Sequence, residues 1–363
     1  MRRFFNTNPE SPAYSRASRV IQIHPSLQCN LTCRHCYSSS APTFRSGLDV
    51  TRLQKITEQL AEIGYNVISV SGGEPFLYRP LEELLRHTHE LGYFNSITTN
   101  AMLLGSERSK KILKQADLIA ISIDGKPAQH DYIRDFDGAF RKMLEGVEIV
   151  KDHVKRFGFI HTVLPQSLEI MAWLTHFAMN HKAGLMHFHP LESAGRATVG
   201  MNSIEFDSES LHKIYILFHY LKEVYKNDIF MQLDLLHRDH IIDNPNFVFH
   251  QSERPELTTD NFSNIFKEMI IDEEGDLIPI AHGCSKHFKI GNIYDDVSCK
   301  EMVETFMEEK MDDIMELYNI TYNAIVEDEL QELFNWSELV IRYSHEVFDP
   351  SMQLSMKVVS NGQ

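Results

Sequence analysis

No stretch of this 363-residue sequence approaches the ~18 consecutive apolar residues needed to cross a bilayer. The opening Met1-Arg2-Arg3-Phe4-Phe5 runs into polar Asn6 to Ser11, so a signal-peptide core is missing too. Basic residues are short: 35 Lys and Arg face 51 Asp and Glu, for a net charge of −16. That balance excludes a general nucleic-acid binder, whose footprint is basic. Cysteine is scarce and odd in number, five in all, with three lying between positions 29 and 36. Such usage excludes a disulfide framework and points to a reducing, cytoplasmic setting with metal chemistry. No internal repeat or low-complexity tract is present.

What is present is ordinary globular composition, 43% apolar and 24% charged, in a chain long enough for one large α/β domain with an appendage. From residue 19 to about 230, short apolar runs alternate with amphipathic stretches. The pattern predicts strands over 20–24, 67–70, 96–99, 118–123, 157–164 and 185–189. It predicts helices over 50–63, 81–91, 106–115, 140–153, 168–182 and 210–225. Six βα units argue for a parallel sheet, with chemistry on the loops after the strand ends. Beyond residue 230 the runs 269–272 and 277–280 flank Glu273-Glu274-Gly275-Asp276 as a hairpin, and 301–318 and 327–343 look helical. Residues 300–363 hold 14 acidic against 4 basic residues, which suits either solvated helix faces or a docking face for a basic partner. Met302, Met307, Met311 and Met315 have helical spacing and are expected to pack.

Cys29, Cys33 and Cys36 sit after the first strand in the spacing C-x3-C-x2-C. They supply three thiolates and no obvious fourth ligand, unlike a closed structural zinc site. Ser71-Gly72-Gly73-Glu74-Pro75 follows the second strand, where glycine lets a ligand approach the backbone. Thr98-Thr99-Asn100 closes the third and is followed by Ala101; Ser122-Ile123-Asp124 closes the fourth. His130-Asp131-Tyr132-Ile133-Arg134 and Asp137-Gly138-Ala139-Phe140 come next, and Pro190 to Arg196 follows the sixth strand. Together these segments resemble the radical SAM superfamily, in its SPASM/twitch-like group of peptide-modifying and molybdenum-cofactor-type relatives.

The resemblance implies a partial (β/α)6 barrel over 19–230, preceded by an N-terminal extension over 1–18. It also implies a smaller α+β SPASM-like domain over 231–363. The implied cofactors are a [4Fe-4S] cluster on Cys29, Cys33 and Cys36, and S-adenosylmethionine (SAM) on its open iron. SAM contacts are expected from His35, Gly72, Gly73, Glu74, Asn100, Ser122, Asp124 and Arg196. Glycine follows Asn100 in many relatives, where this chain has Ala101. The auxiliary-cluster cysteine of such C-terminal domains is replaced by Ile280, and no later C-x2-C follows, so one cluster only is expected. Cys284 is expected to donate a hydrogen atom to a substrate radical; the competing reading is a buried free thiol. His187 and His189 share one strand face and are expected to line the cavity or to be hydrogen-bonded barrel residues.

The implied activity is cleavage of SAM to a 5′-deoxyadenosyl radical that abstracts hydrogen from a ribosomally made peptide. An external one-electron reductant of flavodoxin or ferredoxin type is then a partner. Only about 18 residues precede the first strand, so a separate recognition protein is expected for a precursor peptide. One alternative is a small-molecule substrate such as a tetrapyrrole, sugar or nucleotide. Another is a non-enzymatic iron–sulfur or zinc-binding protein. Neither a membrane nor nucleic acid is an expected partner.

Overall fold

A computed structural model describes residues 18–201, 207–245, 262–328 and 330–349. The expected extension over 1–18 therefore lies outside the described residues, save its last position. Six βα units follow one another as expected. The strands are β1 (Val20–Ile23), β2 (Val67–Val70), β3 (Phe94–Thr99), β4 (Leu118–Ser122), β5 (Phe157–Val163) and β6 (Leu185–Pro190). The helices are α1 (Val50–Glu62), α2 (Leu81–Glu90), α3 (Glu107–Leu113), α4 (Pro127–Arg134), α5 (Ala139–His153) and α6 (Ser167–Asn180). Helix α4 is an addition to the sequence reading. Pro127 starts it at a position where no N–H is needed, and Asp135, in the left-handed region, ends it. A short α7 (Ala197–Gly200) and the long α8 (Ser208–Val224) complete this half.

One sheet runs through the molecule. Strands β1 to β6 pair in parallel in chain order, and β7 (Phe230–Leu233) extends the parallel run beyond β6. At the other edge β9 (Glu268–Ile271) pairs in parallel with β1, while β10 (Asp276–Pro279) and β11 (Gly291–Asn292) add antiparallel strands. Between these segments come β8 (Leu236–His237), α9 (Arg238–Asp243) and α10 (Phe262–Ile265). The expected boundary at 230/231 thus falls where a strand of the same sheet begins, and the C-terminal hairpin is hydrogen-bonded onto the first strand.

The strands sort their side chains by period two. Ile21, Ile23, Ile68, Val70, Ile97, Ile119, Ile121, Phe159 and Phe188 are fully buried in the main core, with the apolar faces of the helices. Each such side chain contributes about 1.5–3 kcal/mol by leaving water. The alternate set is half-buried and mostly polar: Ser69, Ser96, Thr98, Ser122, Thr162, His187 and His189. At the N-terminal strand ends Val20, Val67, Phe94 and Leu118 pack together beneath this polar face.

The expected break near residue 318 is absent. Helix α11 (Cys299–Glu327) continues through it, because no glycine or proline interrupts it and Phe306, Met311, Ile314, Leu317, Thr321 and Ile325 keep one buried stripe. Of the four spaced methionines, Met302, Met307 and Met311 are buried there, as expected. A short strand β12 (Leu333–Phe334) pairs with β8, and α12 (Trp336–Phe348) packs on α11.

Gly146, inside α5, lies against the loop after β3. A Cβ there would sit 2.1 Å from the Ala101 carbonyl oxygen, and Ala101 itself holds φ at +62°. Gly→Ala in a helix interior ordinarily stabilises by about 1 kcal/mol. Here Gly146→Ala is expected to do the opposite, costing about 1–3 kcal/mol through overpacking, measured by urea unfolding; a stabilised variant would contradict this packing.

Candidate active site

The loop from Gln28 to Tyr37 follows β1 and carries the three spaced cysteines. Its backbone is held almost wholly by other segments. Glu74 N–H donates to the Gln28 carbonyl at 2.8 Å, Gly73 N–H to Ser26 at 2.9 Å, and Arg34 N–H to Ile133 at 2.9 Å. From the other side Arg196 N–H donates to Cys36 at 2.9 Å, and its guanidinium donates to the carbonyls of Cys33 (2.9 Å) and Ser40 (2.7 Å). Two glycines permit this closeness. A Cβ on Gly73 would lie 2.2 Å from the Gln28 oxygen, and one on Gly195, whose φ is +56°, would lie 2.1 Å from the Tyr37 oxygen.

The three thiols open onto one cavity of about 180 Å³, with Gly72, Gly73, Glu74, Asn100, Ser122, Arg134, His189, Glu192 and Arg196 on its walls. Leu31 and Met102 pack beside the sulfurs. Burial pushes the Cys29 thiol up to about 12, with the Glu74 charge adding to it. Burial also raises Cys33, against the pull of Arg134, whose Nη1 is 3.7 Å from its sulfur. Burial thus disfavours the thiolate at Cys29 and Cys33, and a bound metal centre is what would stabilise it there. The donor set therefore fits a cluster with three protein ligands: three sulfurs share one cavity, and among the described residues no fourth cysteine lines it.

Several sequence-based assignments change in detail. Asp124 is buried and engaged from three sides instead of facing the cavity. Its carboxylate is ion-paired with Arg134 at 2.5 Å and lies 3.3 Å from His35 Nε2, and its N–H donates to His130 Nδ1 at 3.1 Å. Burial alone would raise its pKa; Arg134 and His35 outweigh that and hold it well below the usual carboxylate range. Removing one member of such a buried pair typically costs about 3–5 kcal/mol. The Glu74 carboxylate likewise accepts from Thr99 Oγ1 (2.7 Å), Asn100 N–H (3.0 Å) and Phe76 N–H (3.3 Å), so the segment faces the cavity chiefly through its backbone. Arg196 clamps the loop's carbonyls. Cys284 is not on the cavity wall; it is 3% exposed, with Ser344 beside its sulfur and its thiol pushed up to about 11 by burial. The structure favours the buried-thiol reading there. Arg134 lies in the segment His130–Arg134, whose spacing alone gives the arginine no role; its place beside Cys33 appears only in the fold.

At the far wall His187 Nε2 and His189 Nδ1 both meet Asp234, at 2.6 and 2.7 Å, and His189 Nε2 meets Glu192 at 2.9 Å. Asp234 stands just past β7, too far along the chain for the spacing of the two histidines to reveal it.

The comparisons agree with this geometry. Residues 23–177 match the family model described as the radical SAM superfamily. The chain carries a radical SAM domain. Over 290 residues it is 26% identical to the Fe-coproporphyrin III synthase of Methanosarcina barkeri, covering 76% of this chain and 71% of that protein. Over 188 residues it is 30% identical to the AdoMet-dependent heme synthase of the same organism, covering 51% of this chain and 54% of that one. It thus spans about half the length of that second relative. Native anSMEcpe, solved with AdoMet and the Kp18Cys peptide, shares the fold at a TM-score of 0.61 and 19% identity, over 94% of this chain and 99% of that one. The chain is a radical SAM enzyme, with a [4Fe-4S] cluster and SAM as its cofactors.

His189 gives the site a pH signature. Burial disfavours its charge, but Asp234 and Glu192 outweigh that and raise its pKa to about 10. A histidine raised on folding contributes stability that is complete below its unfolded pKa, near 6.5, and is lost as pH rises through the folded value. Unfolding free energy is expected to fall between about pH 6.5 and pH 10, and His189→Gln to flatten that slope. Equal slopes in urea melts of both proteins would contradict the pairing.

Proposed function

We propose that this chain uses a cluster on Cys29, Cys33 and Cys36 to abstract hydrogen from a ribosomally made peptide. The observation that carries the reading is the single cavity shared by three thiols, the Gly72-Gly73 turn and the inner strand faces. Cys29, Cys33 and Cys36 would hold the cluster, which with SAM would supply one-electron radical chemistry for hydrogen abstraction. The chain's own residues hold and shield that chemistry. Gly72 and Gly73 let a ligand lie against the backbone. Arg134, fixed by Asp124, places positive charge beside the Cys33 sulfur and offsets the charge of a thiolate there. Leu31 and Met102 give the sulfurs apolar neighbours. Cys284 has no part in this scheme.

The wall chemistry is compatible with a peptide chain. Thr98, Ser122, Thr162, His189 and Glu192 offer hydrogen bonds to a polar chain, beside apolar wall from residues such as Leu31 and Ile160. The peptide bound to anSMEcpe agrees with this choice. The second reading, a tetrapyrrole substrate, is favoured by the names of the two Methanosarcina relatives. A flavodoxin- or ferredoxin-type reductant and a separate peptide-recognition protein complete the proposal.

Anaerobic reconstitution is expected to give about four irons per chain and, with dithionite, 5′-deoxyadenosine from SAM. Cys33→Ala is expected to lose both iron and product. Wild-type protein that binds iron but never cleaves SAM would sink the assignment. The substrate question is read separately: a short peptide encoded beside the gene is expected to stimulate cleavage and change mass. Stimulation by Fe-coproporphyrin III in its place would establish the second reading.

A further inference from the structure

Three groups of histidine and carboxylate side chains among the described residues are close enough to hold a metal ion. Two of them already have partners. His187, His189 and Asp234 satisfy one another, and Asp272 and Asp276 are held by Lys286, with Lys289 on Asp276. The third group, His24, Glu273 and His282, has one ion pair of its own, His282 with Glu273, but leaves two buried atoms without a hydrogen bond.

His24 follows β1 directly. Glu273 stands in the turn between β9 and β10, and His282 lies just beyond β10. The parallel pairing of β1 with β9 sets Ile23 opposite Ile271, and His24 N–H donates to the Ile271 carbonyl at 2.8 Å, so residues from opposite ends of the chain arrive at one level. One ligand atom from each of the three lies within 4.8 Å of the other two. His24 is fully buried, yet its Nδ1 has no hydrogen-bond partner, and neither has the buried Glu273 Oε2. His282 Nε2 is ion-paired with that carboxylate oxygen at 3.7 Å, a separation too long for a hydrogen bond. A buried polar atom without a hydrogen bond, as His24 Nδ1 is, costs about 1–3 kcal/mol.

We propose that His24, His282 and Glu273 bind a divalent transition ion of the zinc type, at a site separate from the three cysteines. Two imidazoles and one carboxylate are a donor set such ions favour, and three protein ligands leave a fourth position open. Bound, the ion draws the donors to the separations of about 3.3 Å that bonds of about 2.0–2.2 Å impose. His282 precedes Gly283, whose φ is +89°, on the short loop after β10. The remaining nitrogen of His24, Nε2, lies 2.8 Å from the Gln22 amide and 3.4 Å from the Tyr37 hydroxyl. With the amide oxygen of Gln22 turned toward it, Nε2–H donates and Nδ1 keeps its lone pair for the ion.

The site has a place in the architecture. It clamps the C-terminal hairpin to β1, and it lies behind Tyr37, whose ring packs edge-on against His282 at 5.2 Å and whose hydroxyl is 3.5 Å from Ser71 Oγ. Tyr37 and Ser71 both line the cavity of the cysteine loop.

The test is zinc titration of a Cys29→Ser, Cys33→Ser, Cys36→Ser protein against a chromophoric chelator, with circular dichroism as the folding control. About one zinc per chain is expected, with affinity falling about 100-fold or more when His282→Ala or Glu273→Gln is added. Zinc is also expected to raise the melting temperature of the parent and not of these variants. If the triple-serine protein does not fold, zinc is counted by mass spectrometry in iron-reconstituted chains with and without His282→Ala. Absence of stoichiometric zinc, or zinc retained in both substituted proteins, overturns the proposal. The readout does not depend on SAM cleavage, so its failure is distinct from a failure of the proposed enzymatic function.

Discussion

A short loop that presents three sulfurs to one cavity cannot satisfy its own backbone, and the rest of the site is built around that constraint. A helix or strand would pair these groups internally, but it would spread the cysteines along an axis or over two faces. Here the pairing is done from outside. The turn after β2 holds the start of the loop, α4 holds its middle through Ile133, and the segment after β6 holds its end through Arg196. Gly73 and Gly195 are the points of closest approach, where any side chain would collide with a carbonyl oxygen of the loop. Residues far apart in the chain are thus committed to one small region, and the parallel sheet brings their loops together.

The second constraint is charge. Buried sulfur becomes thiolate only beside positive charge, which a bound metal centre would supply and the Arg134 guanidinium assists at Cys33. Arg134 reaches Cys33, and Asp124 fixes Arg134 from behind. A lone arginine at this depth would be costly; paired with a carboxylate it keeps its charge and a fixed direction. His35 and His130 surround the same carboxylate, which explains why Asp124 is fully buried although it ends a strand whose neighbours line the cavity.

The C-terminal region is bound to the barrel through hydrogen bonds of a continuous sheet. Strand β9 lies beside β1, so the hairpin turn and the loop after β10 meet the end of the strand that launches the cysteine loop. Ile280, where the resemblance led to an expectation of cysteine, holds φ at +85°, an uncommon conformation for a β-branched residue. The positions close to it that carry ligand chemistry are His282 and Glu273.

Much of this was legible in the sequence. Hydrophobic period and glycine stops marked the six βα units to within a few residues, because helix and strand periodicity are local properties of the chain. The cysteine spacing and the glycine turn after β2 marked one wall of the site for the same reason. The break expected near residue 318 failed because a buried stripe, a tertiary property, carries α11 onward. The roles of Asp124, Glu74, Arg134, Arg196 and Cys284 were decided by three-dimensional neighbours. A carboxylate at a strand end faces ligand or protein according to which cation lies behind it, and spacing does not report that. The residues supplying sulfur and the order of the strands were written in the sequence alone. Which side chains hold the loop, which hold charge beside it, and which meet across 249 residues at His24 and Glu273 were settled only by the fold, since sheet register sets distances that chain order leaves free.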